Sequence, residues 1–349
     1  MPRLIKYPLI TVYILARLIM RSLPAKSTRL NLVGVLPKGP KAIVHGGKIK
    51  LLVLRGQFGD TWRHFNIAYF VSSGLPFAPD IWIRLYKFFG VKMVWNQNGF
   101  AYPALYPPEV VSRVNGLFKS IHLVDYIIYQ TEFTKRCAEK FLGKIDVPST
   151  ILINPVDTNF FKPREAPLPI EPLTILMLGN HFESPERMRV SIESMRKLRE
   201  EGMNVKLIII GRCEEEFGEN WIEKKGAYLK KDAPALFQSG HIFLHLKYLD
   251  PCPTAVLEAM ASGVPVIGSR SGGMPELVDE ASGVLIDVPE DFERLHYTST
   301  DAVAEAVKKV LQNLSSYSKR AREQSLKLDK EIWLKRHEEI FKNLCRKSQ

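Results

Sequence analysis

Twice along this chain, short apolar runs alternate with amphipathic stretches, the pattern produced by the strands and covering helices of a parallel sheet. The first set reads as strands at Leu30–Leu36, Asn66–Val71, Val91–Trp95, Asp125–Tyr129 and Thr150–Ile153, with helices at Pro108–His122 and Glu132–Leu142. Between Asp157 and Pro172 the periodicity lapses and Pro163, Pro167, Pro169 and Pro172 crowd together, which is the composition of a linker. The second set follows with strand Thr174–Leu178, helix Glu186–Glu201 ended by Gly202, strands Val205–Ile210 and His241–Leu246, a helix from Thr254, and strand Val264–Ile267. A final helix, Lys330–Cys345, gathers Trp333, His337, Ile340, Phe341 and Leu344 near one face. At 349 residues the chain is long for one core, so two Rossmann-like α/β domains are expected, 29–165 and 166–328. A segment 1–28 precedes them and a helix 329–349 follows.

Composition narrows the partners. Hydrophobic residues at 46% and charged residues at 25% suit two globular cores, and the net charge of +12 favours an anionic partner. Nucleic acid is not expected, because Trp95, Tyr102 and Tyr106 interleave with apolar and proline residues instead of a basic stripe. Cys137, Cys213, Cys252 and Cys345 are widely spaced and show no metal-ligand pairing, so a reducing, cytoplasmic setting is the simplest. The apolar run Leu9–Met20 is interrupted by Arg17 and preceded by Arg3 and Lys6; it is too short to span a bilayer, which takes about 20 residues. A basic helix of that kind suits an anionic membrane surface, peripheral on its inner face, and the alternative is a helix packed on the protein itself.

The most chemically specific segment is DPCPTAVLEAMASGVPVIGSRSGGMPELV, Asp250 to Val278. Thr254 is read as the cap of a helix whose apolar positions Val256, Ala259 and Met260 recur at helical spacing, stopped by Gly263 and Pro265. Glu258 then lies one turn inside that helix among apolar neighbours, where a carboxylate is costly unless hydrogen-bonded, and a vicinal diol offers it two donors. The free amides near Pro253, Thr254 and Ala255 suit a diphosphate. Asp250, eight positions before Glu258, follows an apolar strand and is placed to reach a hexose joined to that diphosphate. The competing reading is a carboxylate that caps or pairs within a packed helix, with glycines that only turn the chain.

This segment resembles the acidic motif of retaining glycosyltransferases of the family-4 type, in which two Glu separated by seven residues bind the donor sugar and the nucleotide ribose. Asp250 stands for the first Glu and Glu258 for the second, and Ser271, Gly272, Gly273 and Glu276 follow the strand as in that family. The resemblance implies an α/β GT-B fold with a ligand between facing sheets, a nucleotide-sugar donor as substrate, a glycan or lipid-linked acceptor, no separate cofactor, and a last helix that crosses back to the first domain. It also implies transfer with retention of configuration. No Asp-x-Asp pair is present to hold a divalent ion, so no metal is expected.

The same resemblance nominates further residues. Gly46 and Gly47, between His45 and Lys48, take the place of a glycine loop near donor and acceptor; a phosphate-binding loop is rejected because Ala42 stands where its glycine is needed and Ile49 follows Lys48. Asn98 occupies a position where the family often has His, and an amide cannot serve as acid or base near neutral pH. Gly179 matches a family glycine, but Asn180 replaces the Arg that follows it, leaving Arg187, or Arg189, and Arg212 as candidates to neutralise the diphosphate. An ion pair of Arg212 with Glu214 to Glu216 is the alternative. His181 and His245 are cleft candidates or structural histidines. Rival functions are a sugar-nucleotide 2-epimerase and a donor-binding homologue without catalysis.

Overall fold

The computed structural model describes residues 30–33, 46–59, 65–76, 78–179 and 185–346. The expected membrane-facing segment 1–28, His45, Asn180 and His181 lie outside the described residues. The first domain is built from β1 (Leu30–Val33), α1 (Gly46–Phe58), β2 (Ile67–Val71), α2 (Pro79–Phe88), β3 (Lys92–Gln97), α3 (Pro108–Phe118), β4 (Tyr126–Tyr129), α4 (Glu132–Leu142) and β5 (Ser149–Ile151). Its strands run parallel in the order β1-β2-β3-β4-β5. All five residues of β2 are buried, as expected of a strand covered on both faces. Alternate residues divide between the two faces: Phe70, Trp95 and Ile127 face one core with Phe133, while Tyr69, Val71, Val94 and Ile128 face the other.

The second domain contains β6 (Leu173–Leu178), α5 (Pro185–Glu200), β7 (Val205–Ile210), β8 (Ile222–Gly226), α6 (Ala233–Gln238), β9 (Ile242–His245), α7 (Thr254–Ala261), β10 (Val266–Arg270), α8 (Met274–Leu277), β11 (Gly283–Asp287), α9 (Thr300–Gln312) and α10 (Leu314–Leu326). Its sheet order is β11-β10-β9-β6-β7-β8, so the winding reverses between β9 and β6. Crevices open outside the carboxyl ends of strands at such a reversal.

The strand expected at Val264–Ile267 sits two residues later, because Gly263 and Val264 still bond to the end of α7 through Met260 and Ala259 carbonyls. The edge strands β8 and β11 escaped the sequence reading: β8 reads IEKKG, with charges that suit an edge but hide the apolar pattern. Helix α9 begins where Ser299 accepts a hydrogen bond from the Ala302 N–H at 3.1 Å.

The two domains are joined by two crossings that run side by side. Val156 donates its N–H to the Leu328 carbonyl at 3.1 Å, and Lys330 donates to the Val156 carbonyl at 2.9 Å. Around this clip Thr158 donates to Asp329, and Lys330 pairs with Asp157 at 2.6 Å. Helix α11 (Lys330–Arg346) then buries Trp333, Leu334 and Phe341 against Leu51, Leu54 and Tyr69 of the first domain. Its His337 is fully buried, and Nε2 meets the Tyr69 hydroxyl at 3.0 Å.

Candidate active site

Asp250 lies on the loop leaving β9, beside the point where the second sheet reverses. The residue before it, Leu249, is held at φ 50°, a left-handed conformation that a branched side chain rarely adopts. Neighbouring glycines make that loop possible. A Cβ on Gly272, itself at φ +63°, would meet Asp250 backbone N at 2.8 Å, and one on Gly273 would strike the Pro251 carbonyl and Thr131 Cγ2. The glycine turn therefore packs directly on the acidic loop, with Gly273 N–H donating to the Asp250 carbonyl at 2.9 Å and Leu249 N–H to Ser271 Oγ at 3.1 Å.

The Asp250 side chain is mostly enclosed. Lys247 Nζ stands 3.4 Å and His245 Nε2 3.5 Å from its Oδ2. Burial opposes ionisation, but Lys247 and His245 more than reverse it and hold the carboxyl well below the usual carboxylate range. An anionic Asp250 can accept hydroxyl hydrogens, and the Lys247 ammonium beside it helps keep it charged.

Glu258 is in a different state. It is half-buried in α7 and accepts no hydrogen bond from the described residues, and burial, only partly offset by Lys230, raises its pKa to about 7. It lines a cavity of about 310 Å³ walled by Ile49, Val53 and Gln57 of α1, by the crossing at Pro155–Asp157, and by Lys230, Thr254, Lys330 and Glu331. This cavity lies between the domains. Asp250 is not part of its wall, so the two carboxylates mark adjoining parts of the crevice rather than one chamber.

Thr254 does not cap α7. Pro253 occupies the cap position and makes no side-chain cap bond, so Thr254 is the first helical residue and its half-buried side chain lines the cavity; Ala255 follows in the same open turn. With no side-chain cap, the amides of this turn stay available to a ligand. Gly46 and Gly47 are likewise not a free loop, because α1 begins at Gly46.

Gly179 ends β6, and a Cβ there would strike the Arg212 carbonyl, so its lack of side chain lets two strand-end loops close together. Arg187 is buried and donates to the Leu178 carbonyl at 3.1 Å, close to that strand end. Arg212 is exposed, and Glu216 pairs with Lys224 instead. Neither arginine lines the cavity at Glu258. Lys230, which sequence reasoning missed, does line it; it begins a single 3-10 turn, Lys230–Asp232, with no periodic or motif signal to expose it.

From the first domain, the ends of β3, β4 and β5 meet the acidic loop. Thr131 Oγ1 donates to the Pro251 carbonyl at 3.0 Å, Asn154 Nδ2 donates to the Cys252 carbonyl at 3.0 Å, and Pro251 Cγ lies 3.1 Å from where a Gly99 Cβ would stand. Asn98 is half-buried beside Gly99. Among the described residues, no group of three or more His, Cys, Asp or Glu is arranged to hold a metal ion, and no helix is long and apolar enough to cross a membrane.

Comparison with known proteins agrees with this layout. Residues 160–325 match the family model described as Glycosyl transferases group 1. WcaL of Escherichia coli, described as a colanic acid biosynthesis glycosyltransferase, is 30% identical over 156 residues, 40% of this chain and 38% of that protein. O-antigen chain mannosyltransferase B of Escherichia coli is 32% identical over 77 residues, 22% of this chain and 20% of that protein. The chain thus spans less than half the length of these relatives. HepE of Anabaena, in complex with UDP and glucose, superposes with a TM-score of 0.61 at 14% identity, over 84% of this chain and 81% of that one. Sucrose-phosphate synthase of Thermosynechococcus elongatus superposes with a TM-score of 0.63 at 14% identity, over 89% and 82%. The two parallel-sheet domains have the GT-B fold, and residues 160–325, largely the second domain, are similar to the glycosyl transferases group 1.

Proposed function

We propose that the protein moves a sugar from a nucleotide-diphosphate donor to a glycan or lipid-linked acceptor, with the anomeric configuration retained. The observation that carries the reading is Glu258: a carboxylate without a hydrogen-bond partner among the described residues, one turn inside the uncapped helix α7, facing a cavity between two domains. A ribose diol supplies the two donors it lacks. The amides at Thr254 and Ala255 receive the diphosphate, and Lys230 adds positive charge beside it. Asp250, held anionic, accepts from hydroxyls of the sugar.

In the reaction the bond from the anomeric carbon to the diphosphate oxygen breaks, and an acceptor oxygen forms the new glycosidic bond. The acceptor proton passes to the departing phosphate, and the negative charge developing there is stabilised by helix amides with Arg187 and Arg212 as the candidate cations. No carboxylate has to act as nucleophile. Retention rests on the family resemblance. The relatives named for colanic acid and O-antigen support a polysaccharide acceptor. A cytoplasmic enzyme docked peripherally through residues 1–28 is the matching location.

The test is calorimetric titration of the protein and of Glu258→Gln with a panel of nucleotide hexoses. The variant is expected to bind about 10- to 100-fold more weakly, the range for losing a charged hydrogen bond. Equal affinity in a folded variant removes Glu258 from the donor site. Epimerised sugar nucleotide accumulating without acceptor selects the 2-epimerase, and binding without turnover beside acceptor selects a donor-binding homologue.

A further inference from the structure

Beneath Asn98 lies a lysine that the proposed chemistry does not use. Lys50, on α1, is only 2% exposed, yet among the described residues no carboxylate pairs with it. Its Nζ donates instead to Asn96 Oδ1 and to Asn98 Oδ1, each at 2.7 Å. Gln130 Nε2 donates to the same Asn98 Oδ1 at 2.8 Å, so two donors converge on that oxygen. Two side-chain oxygens at the end of β3 thus take hydrogens from one buried ammonium.

This arrangement dictates the state of Asn98. Its N–H donates to Ser72 Oγ at 2.9 Å, its Oδ1 accepts from Lys50 and Gln130, and its Nδ2 donates to Ser73 Oγ at 2.7 Å. An amide nitrogen carries two hydrogens, and Ser73 takes one. Asn98 is therefore fixed as a hydrogen-bond donor, immediately before Gly99, which packs under Pro251 of the acidic loop.

We infer that Lys50 is a positioning residue for donor recognition: by holding Asn98 Oδ1, it turns the Asn98 amide so that Nδ2 offers a hydrogen to an acceptor oxygen of the bound donor. The inference rests on the glycosyl-transfer reading. Burial brings the Lys50 pKa down to about 7, so the lock operates at neutral pH and below and loosens above it. A neutral amine keeps the contact with Asn98 but loses the charge that strengthens it. The other titratable groups facing Lys50 stay silent over this range. Burial pushes the Cys252 thiol up to about 12 and the Tyr69 hydroxyl well above its ordinary value, and brings His337 down to about 3.

The test is a thermodynamic cycle in the full chain. Affinities for a panel of UDP-, ADP-, GDP- and dTDP-hexoses are measured from pH 6 to 9 for the wild type, Lys50→Met, Asn98→Ala and the double variant, with Lys50→Gln as a polar, uncharged second substitution. Lys50→Met is expected to weaken binding about tenfold at pH 6.5 and to abolish the decline that the wild type shows above pH 7. On the Asn98→Ala background it is expected to cost nothing further. Equal losses on both backgrounds, or an alkaline decline that persists in both Lys50 variants, overturn the inference while leaving the donor reading intact. A wild type that binds none of the panel removes the donor reading and the inference together.

Discussion

The carboxylate of Glu276, in the second domain, accepts the backbone N–H of Phe133, in the first turn of α4 in the first domain, at 3.0 Å. Its other oxygen accepts the Glu132 N–H at 2.7 Å, so one side chain from across the crevice serves as an anionic cap for a helix it is not part of. Near this bond Phe292 stacks on Phe133 with ring centroids 6.0 Å apart, and Arg136 pairs with Glu290 at 3.2 Å. Glu276→Ala is expected to cost about 1 kcal/mol of stability and to widen the separation of the domains, read by chemical denaturation and small-angle scattering. Unchanged scattering would mean that Glu276 caps without governing closure.

Gly273→Ala tests the packing of the glycine turn. The added methyl meets the Pro251 carbonyl and lies 2.8 Å from Thr131 Cγ2, both parts of the contact between domains. A loss of about 1–3 kcal/mol is expected in denaturant unfolding, together with weaker donor binding. A neutral outcome would show that the two loops part easily.

Burial gives Glu258 a folded-state pKa of about 7, above its ordinary value of 4.5. Its protonated form is favoured by folding, so its contribution is complete below about pH 4.5 and disappears as pH rises through about 7. Glu258→Gln, neutral throughout, is therefore expected to match the wild type at pH 4.5 and to exceed it by about 1–3 kcal/mol at pH 8 in the absence of ligand. Thermal unfolding across that interval reads the difference, and a constant offset would contradict it. Donor binding needs the carboxylate and should strengthen as pH rises from 4.5 to about 7, below the range in which Lys50 loses its charge.

Tyr69→Phe removes the hydroxyl that faces His337 Nε2 at the seat of α11. Because His337 Nδ1 already meets the Trp333 carbonyl at 2.9 Å, the other nitrogen is left buried without a donor. A cost of about 1–3 kcal/mol is expected, with proteolysis at the chain's final helix as the sensitive readout. Equal resistance to cleavage would show that apolar packing alone seats the helix.

Strong local patterns made much of this fold legible in the sequence. Val205–Ile210 is all but one residue apolar, and strand β7 has those bounds. The charged edge strand β8 and the helices α9 and α10 carried weaker signals and were not foreseen. For the candidate site, Asp250 and Glu258 were legible because the DPCPTAVLE segment is contiguous, and the structure sets them on one loop and the helix that follows. Lys230 and Lys50 were not. Their significance depends on what other segments bring beside them: α1 for Lys230, and the end of β3 for Lys50. No local spacing encodes such encounters.

The adjacent crossings at Val156 and Leu328 give the molecule a double-pinned pivot. Two pins set close together permit swinging about a shared axis but resist sliding and twisting, so each swing returns the same pair of surfaces to the same register. A substitution at Asp329, which is not in the cavity wall, would therefore alter how freely the jaws swing without touching what they hold.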